Sequence, residues 1–334
     1  MVTITDISKE LKISHSAVSR VLNGKGKGLV RKDIAEKIIE LAKKRGYRPN
    51  VSARTLKTGR SGTLGLVTGE ISERYQGCFA QALLNESAKH GYRLLIATTN
   101  YDQKQERECL ENLLNFNVDG IFYQLHLDPK SSIYKTLKKE KFPILSHSMP
   151  GDFSAVIYDH EHAMRKCIEM FRSKGIRKLI HLTWDHDTIT ETLKRSAANT
   201  GLELEHFPFD PLDRYDSNVF QKLMEKKPEA VFSSSYLEIH HLLEYCKENK
   251  LGKPLCAYRW TLPFEYIEDP AVIGAVVMPL KERIDAEFEL LLERVQDREK
   301  EIRTITLGSE FLAHKDLKKM NMRLRMDSWY KKYS

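Results

Sequence analysis

Two different hydrophobic rhythms divide the chain. Over residues 3–48 apolar side chains recur at helical spacing: Ile4, Ile7 and Leu11, then Val18, Val21 and Leu22, then Ile34, Ile38, Ile39 and Leu41. Steps of three and four place each set on one helical face, so three short amphipathic helices are predicted. Thr3 and Asp6 have the spacing of a capping box for a helix through Leu11, and Ser14 can cap a second over roughly 15–23. Lys12-Ile13 forms the turn between them. The loop Gly24-Lys25-Gly26-Lys27-Gly28 leads to a third helix ending near Gly46. Two short helices across a tight turn, braced by a third, predict a helix-turn-helix unit.

From Thr63 the rhythm changes to short apolar runs alternating with amphipathic helices. The runs are Leu64–Val67, Leu94–Ala97, Gly120–Tyr123, Ile144–Leu145, Ala155–Ile157, Leu179–Leu182, Ala230–Phe232, Ile273–Val277 and Ile302–Thr306. Glycine closes a helix directly before a strand at His90-Gly91-Tyr92, Lys174-Gly175-Ile176 and Thr200-Gly201-Leu202. Such alternation predicts an α/β fold of parallel sheets covered on both faces. About 240 residues of it predict two doubly wound subdomains with a ligand cleft at the carboxyl ends of their strands.

Charge sharpens the division. Residues 1–60 carry 15 Lys+Arg against 5 Asp+Glu, whereas the rest of the chain carries 39 against 41. A compact basic module beside a neutral body is what attraction to a phosphate backbone requires. On the second helix His15, Ser16, Ser19 and Arg20 point away from the apolar face. Arg20 can form a two-pronged contact with guanine or phosphate, and His15 and Ser16 can reach base edges. Lys25 and Lys27 sit on glycine-freed backbone that can approach phosphates. Five scattered cysteines without a Cys-x-x-Cys pair suit thiols in a reducing compartment. Neither a secretory signal nor an apolar run near the ~20 residues of a membrane span is visible, so a cytoplasmic protein without a membrane partner is expected.

Three segments then resemble one family. Val2-Thr3-Ile4-Thr5-Asp6-Ile7, Ile13-Ser14-His15-Ser16-Ala17-Val18-Ser19-Arg20-Val21-Leu22-Asn23-Gly24 and Gly46-Tyr47-Arg48-Pro49-Asn50 resemble, in order and spacing, the headpiece of the LacI/GalR bacterial transcription regulators. Val30-Arg31-Lys32 departs from the family's usual Val-Ser before the third helix. The resemblance implies DNA contacts from Thr5, Ser14, His15, Ser16, Ala17, Ser19, Arg20, Asn23, Lys25, Lys27 and Tyr47. Asn50-Val51-Ser52-Ala53-Arg54-Thr55-Leu56-Lys57 resembles the family's hinge, which orders into a helix in the minor groove. Asn50, Ala53, Arg54 and Lys57 would then contact DNA, and Leu56 would wedge between base pairs.

The same resemblance, weaker in the body, implies a periplasmic-binding-protein-like core. It rests on Gly65-Leu66-Val67 with Ile71-Ser72, Val118-Asp119-Gly120-Ile121, Pro228-Glu229-Ala230-Val231-Phe232 and Ile273-Gly274-Ala275-Val276-Val277-Met278-Pro279. In such cores three crossings join the halves, and closure on a small molecule alters how two headpieces are held. The expected division is therefore 1–49 headpiece, 50–60 hinge helix and linker, 61–314 effector-binding and dimerisation core, and 315–334 basic tail. Within the core the halves are expected at about 61–155 with 279–300, and 156–278 with 301–314. The implied function is a transcription regulator, a repressor by analogy, that binds a palindromic operator as a homodimer and responds to a small-molecule effector.

Strand-end positions nominate Tyr75, Gln124, His147, Asp185, Tyr236, Arg259 and Trp260 for the effector. Glu73-Arg74-Tyr75 replaces the family's Asn-Pro-aromatic turn, Ile189-Thr190 its sugar-binding Arg, Ser233-Ser234-Ser235-Tyr236 its Asn-Asp pair, and Ala257-Tyr258-Arg259-Trp260 its Gly-Phe-Asp-Asp. Losing acidic acceptors for sugar hydroxyls argues against a typical neutral monosaccharide and towards a charged or aromatic effector. A core that no longer senses any ligand is the alternative. Asp159-His160-Glu161-His162 and Trp184-Asp185-His186-Asp187 superficially resemble metal or acid/base clusters. Helix capping by Asp159, and by Asp185 or Asp187, is the simpler reading. No nucleophile elbow or phosphate loop appears, so neither an enzyme nor a cofactor is expected. In the tail Leu317 and Leu324 stand one heptad apart, too little for a coiled coil, which predicts dimers rather than tetramers.

Overall fold

The computed structural model describes residues 2–24, 26, 28–47, 59–72, 74–125, 128–146, 149–183, 189–198, 200–210, 213, 216–260 and 266–326, of which Arg74, Trp260 and 321–326 are described by backbone alone. The chain forms two compact units, residues 1–61 and 62–334. The first contains α1 (Ile4–Leu11), α2 (His15–Leu22) and α3 (Lys32–Lys44). Thr3 caps α1 in a reciprocal box: the Asp6 amide donates to Thr3 Oγ1 at 3.2 Å, and the Thr3 amide to Asp6 at 2.8 Å. The turn is tight because Lys12 takes a left-handed φ of 54°, and Ser8 Oγ donates to the Ile13 carbonyl at 2.6 Å across it. Ser14 Oγ caps α2 through the Ala17 amide. Ile7, Val18, Val21, Ile38 and Ala42 form the sealed centre. Ile39 is 55% exposed, because it falls one step off the 34–38–41–42 stripe.

The second unit is built from two parallel sheets with the same winding. β1 (Thr63–Thr68), β2 (Arg93–Thr98), β3 (Gly120–Tyr123) and β4 (Ile144–Ser146) stand in the order β2-β1-β3-β4. They are joined by α4 (Arg74–Lys89), α5 (Gln103–Asn115) and α6 (Ser132–Lys139). β5 (Ala155–Asp159) pairs in parallel with β11 (Thr304–Gly308) and is bridged to β4 through Leu145 and Ser154. The second half contains α7 (Glu161–Ser173), β6 (Lys178–Thr183), α8 (Ile189–Ala197), β7 (Glu203–Pro208), α9 (Ser217–Glu225), β8 (Ala230–Ser233), α10 (Tyr236–Glu248), β9 (Leu255–Trp260) and β10 (Val272–Val277). α11 (Leu280–Gln296) returns to the first half, and β12 (Glu310–Ala313) and α12 (His314–Met326) finish in the second. Its sheet runs β12-β10-β9-β8-β6-β7, with only β12 antiparallel. Both orders are the doubly wound arrangement whose switch point lies beside the first strand, at the strands' carboxyl ends. Gly91, Gly175 and Gly201 all take positive φ at the helix ends they close, as left-handed caps require.

Each half has its own core. Leu64, Leu66, Phe79, Phe122 and Phe288 are fully buried or nearly so in the first, and Phe171, Phe232, Ile239 and Tyr258 in the second. Two expectations need correction. β5 and β11 pair with one another beside β4, so the division drawn at 155/156 and 300/301 cuts a strand pair that belongs to the first half. The crossings therefore fall later, after Asp159 and Gly308. The tail is also shorter than expected. Leu317 of α12 is completely buried in the second core, with Met320 against it, because α12 caps β10 and β12 rather than leaving the body.

Candidate nucleic-acid interface

The second helix presents the face that sequence spacing assigns to DNA. Ser14, His15, Ser16, Arg20 and Asn23 are exposed, Ala17 and Ser19 half-buried, and Val18 and Val21 sealed beneath. With side chains α2 is about 10–12 Å across, so it can lie in a major groove about 12 Å wide with its first residues towards base edges. Its ends are fixed locally. Ser14 Oγ lies 3.2 Å from Ser16 Oγ, and Asn23 Nδ2 donates to the Ser19 carbonyl at 2.7 Å, ending the helix where Gly24 turns away with φ 71°. Gly26 must be glycine, since a Cβ there would come within 2.9 Å of Val21. Arg45, which caps the end of α3, donates twice to Glu10 of α1, at 2.7 and 3.1 Å, tying these two helices together.

Other nominated residues take different places. Thr5 is exposed on α1. Tyr47 packs against the headpiece core, and burial pushes its hydroxyl pKa up, so its ring serves the fold as well as any contact. Arg31 occupies the departure from the family pattern. It is the N-cap of α3 without a side-chain capping bond, and it pairs instead with Asp33 at 2.9 Å. Lys25, Lys27, Asn50, Ala53, Arg54, Leu56 and Lys57, and in the body His147 and Asp185, lie outside the described residues.

In the second unit Gln124 follows β3, Tyr236 opens α10 after β8, and Arg259 and Trp260 end β9, and a pair that sequence reasoning missed engages Tyr75 and Gln124 in the first half. Arg283 of α11 donates to Glu287 at 2.6 Å and to Gln124 Oε1 at 2.8 Å, and it also donates to the Tyr75 hydroxyl. Its guanidinium lies 4.6 Å from the Phe79 ring centre and 5.8 Å from that of Tyr158. Arg283 and Glu287 are 5% and 0% exposed. Burial works against the Arg283 charge and is the largest single influence on it, but Glu287, Tyr75 and Tyr158 together outweigh that and hold its pKa up. Burial also pushes the Glu287 carboxyl up, with Arg283 pulling the other way. Gln124 Nε2 and Glu287 Oε2 have no hydrogen-bond partner among the described residues. The missed signal was available: an Arg-x-x-x-Glu pair sharing the stripe of Ile284, Phe288 and Leu291 cannot both be solvated. In the other half Tyr236 opens α10 beside Tyr258, with ring centres 6.3 Å apart. Arg259 Nε donates to the Ser234 carbonyl at 3.1 Å, and Trp260 is described only by its backbone, at the end of β9.

The crossings between the halves are stitched by polar contacts. His160 Nδ1 lies 2.8 Å from Ser309 Oγ, and the Ser309 amide donates to the Asp159 carbonyl at 3.0 Å. Asp159 Oδ1 accepts from the Glu161 amide at 2.8 Å. The N-cap of α7 is His160, without a side-chain capping bond, so Asp159 serves the first turn from one residue earlier than the capping position expected of it. Among the described residues no three or more His, Cys, Asp or Glu are placed to hold a metal ion. No helix there is long and apolar enough to cross a membrane.

Comparison with known proteins agrees with this geometry. A family model described as bacterial regulatory proteins, lacI family, matches residues 3–50. Catabolite control protein A of Staphylococcus xylosus is 30% identical over 245 residues, 70% of this chain and 74% of that protein. Catabolite control protein A of Staphylococcus epidermidis is 24% identical over 313 residues, 89% of this chain and 94% of that protein. Among solved structures, the lac repressor dimer bound to operator and the anti-inducer ONPF superposes with a TM-score of 0.74 at 16% identity, covering 93% of this chain and 97% of that one.

Proposed function

Because the chain belongs to the lacI family of bacterial regulatory proteins, we propose that it is a repressor that reads a palindromic operator as a homodimer and whose core answers to a small molecule. It is a DNA-binding transcription regulator rather than an enzyme, and it works in the cytoplasm. The observation that carries the reading is the exposed row His15, Ser16 and Arg20 on a capped helix of a strongly basic unit. Arg20 reads a guanine in the major groove, and His15, Ser16 and Ala17 contact neighbouring base edges. Thr5, Ser14, Ser19, Asn23, Lys25, Lys27 and Tyr47 hold the backbone, and Leu56 wedges the minor groove between Ala53, Arg54 and Lys57.

A homodimer has a natural surface in the first half. β2 is the sheet's edge, and it and α4 leave Leu84, Leu95 and Ile96 between 37% and 41% exposed. Apolar side chains exposed on an edge strand and its covering helix suit a second copy. Footprinting of the bound genome tests the reading. It should recover inverted repeats whose half-sites are separated by about one helical turn or a multiple of it; scattered sites without inverted symmetry would overturn it.

The effector is charged or aromatic, since the sheet ends present Arg259, Tyr236 and Tyr258 where acidic acceptors would hold a neutral sugar. One observation favours the alternative, a regulator whose core senses no ligand. Tyr75 and Gln124 are already engaged by Arg283. Thermal shift against a metabolite panel separates the two, because a bound effector must both raise the melting temperature and change operator affinity.

A further inference from the structure

Among the described residues three segments cross between the halves: Asp159-His160 at the end of β5, Met278-Pro279 before α11, and Gly308-Ser309 at the end of β11. Arg283 reaches all of them. It stands in the first turn of α11, where its amide donates to the Pro279 carbonyl at 3.1 Å. Its guanidinium lies over the Tyr158 ring of β5, and that ring is stacked on His160 with centres 5.6 Å apart. His160 in turn meets the Ser309 hydroxyl at 2.8 Å.

The guanidinium is held as a bound ligand is held. Tyr75, Gln124 and Glu287 accept from it, and the Phe79 ring packs against it. Gln124 follows β3 and Tyr75 opens the helix after β1, on the side of the sheet where a doubly wound fold places its ligand. Stability alone explains the cluster poorly. Gln124 Nε2, Glu287 Oε2 and the Tyr158 hydroxyl are buried and have no hydrogen-bond partner among the described residues. An apolar pair in place of Arg283 and Glu287 would carry no desolvation penalty. Unsatisfied polar atoms gathered round one buried cation call for a role beyond packing.

We propose that Arg283 is a built-in effector. Its guanidinium occupies the first half's wall of the cleft in place of a small molecule. Through Tyr158 it braces the crossings, so that the halves keep the arrangement that binds operator. The inference rests on the repressor reading above, in which the arrangement of the halves sets operator affinity. A ligand biases such an equilibrium only while it is bound, whereas a cation carried by the chain is always present. Operator binding is therefore the resting state and needs no added molecule.

The test is titration of full-length parent and variants, at constant ionic strength, with the inverted repeat that footprinting recovers. The parent should bind it with no metabolite added. Arg283→Ala should bind at least fivefold more weakly. Ethylguanidinium should restore that variant to within twofold of the parent, and ethylammonium, which lacks the planar fork, should not. Arg283→Met/Glu287→Leu leaves no buried charge unpaired, so it should fold as the parent does and still bind at least fivefold more weakly. Tyr158→Leu keeps the ion pair but removes the stack on His160, and should weaken binding several-fold. Parent-like or tighter binding by the folded double variant would overturn the proposal and leave Arg283 a structural residue. So would a folded Arg283→Ala that ethylguanidinium does not restore. A parent that binds no inverted repeat would instead overturn the repressor reading itself, and the proposal with it.

Discussion

Removing Arg283 should be among the most damaging single changes in the body, for a reason that counting contacts does not convey. Glu287 is fully buried, with one oxygen 2.6 Å from Arg283 and the other without a hydrogen-bond partner among the described residues. Arg283→Met keeps an apolar stem against Phe79 but leaves that carboxylate uncompensated, together with the Gln124 oxygen that accepted at 2.8 Å. Breaking a buried pair from one side costs about 3–5 kcal/mol, and for a unit of this size about 2–4 °C accompanies each kcal/mol. The melting temperature should therefore drop by roughly 6–20 °C. The double variant Arg283→Met/Glu287→Leu should recover most of the loss, because an apolar pair of similar volume carries no desolvation penalty. The deficit of the single variant should also shrink at lower pH. Burial raises the Glu287 pKa, the loss of Arg283 raises it further, and protonation then relieves the buried charge. Calorimetry of the parent and both variants at two pH values measures all three effects. A single-variant loss below about 1 kcal/mol, or a double variant as damaged as the single, would refute the reasoning.

Three further outcomes follow from the same residues. Arg20→Ala should cost about 1–3 kcal/mol of operator affinity and relax preference at one base pair, measured by titrating single-substitution duplexes; an unchanged preference would remove Arg20 from base reading. Leu56→Ala should fold as the parent does, with unchanged far-ultraviolet dichroism, yet lose most operator affinity and the duplex bend seen by gel phasing. Stability should fall as pH drops below 6.5, the usual histidine value. Burial lowers the pKa of His206, His241 and His314, aided respectively by His181, His240 and Lys318. The unfolded chain takes up these protons first, so it binds more of them in that window. His206 lies 3.2 Å from His181, ring nitrogen to ring nitrogen, so His206→Gln should flatten the profile; a melting temperature level from pH 7.5 to 5.5 would contradict this.

What the sequence made legible follows from which interactions are local. Helix caps, the Lys12 turn and the three helix-closing glycines depend on residues a few positions apart, and spacing exposed them. β7, β9 and β12 were absent from the apolar runs, although the helix-closing Gly201 pointed to a strand where β7 stands. Leu255–Trp260 is interrupted by Arg259, and Glu310–Ala313 is a short edge that earns its strand conformation by antiparallel pairing with β10. That pairing needs Gly274, where a Cβ would meet the Leu312 carbonyl oxygen at 2.4 Å. The placement of β11 beside β5 was equally hidden, because both are apolar and either half could have taken them. Strand-end logic nominated Tyr75, Gln124 and Tyr236. It could not find Arg283, which reaches Tyr75 across more than 200 residues of chain.

The central claim is that a small basic helical unit reads a symmetric sequence in DNA. Selection from a randomised duplex pool with purified full-length protein, at about 0.15 M salt where non-specific phosphate contacts are weak, addresses it without knowledge of the operator. The account predicts enrichment of one inverted repeat, with the guanine contacted by Arg20 fixed in each half. A pool that emerges without any common sequence, or with an asymmetric site bound by a single copy, would contradict it.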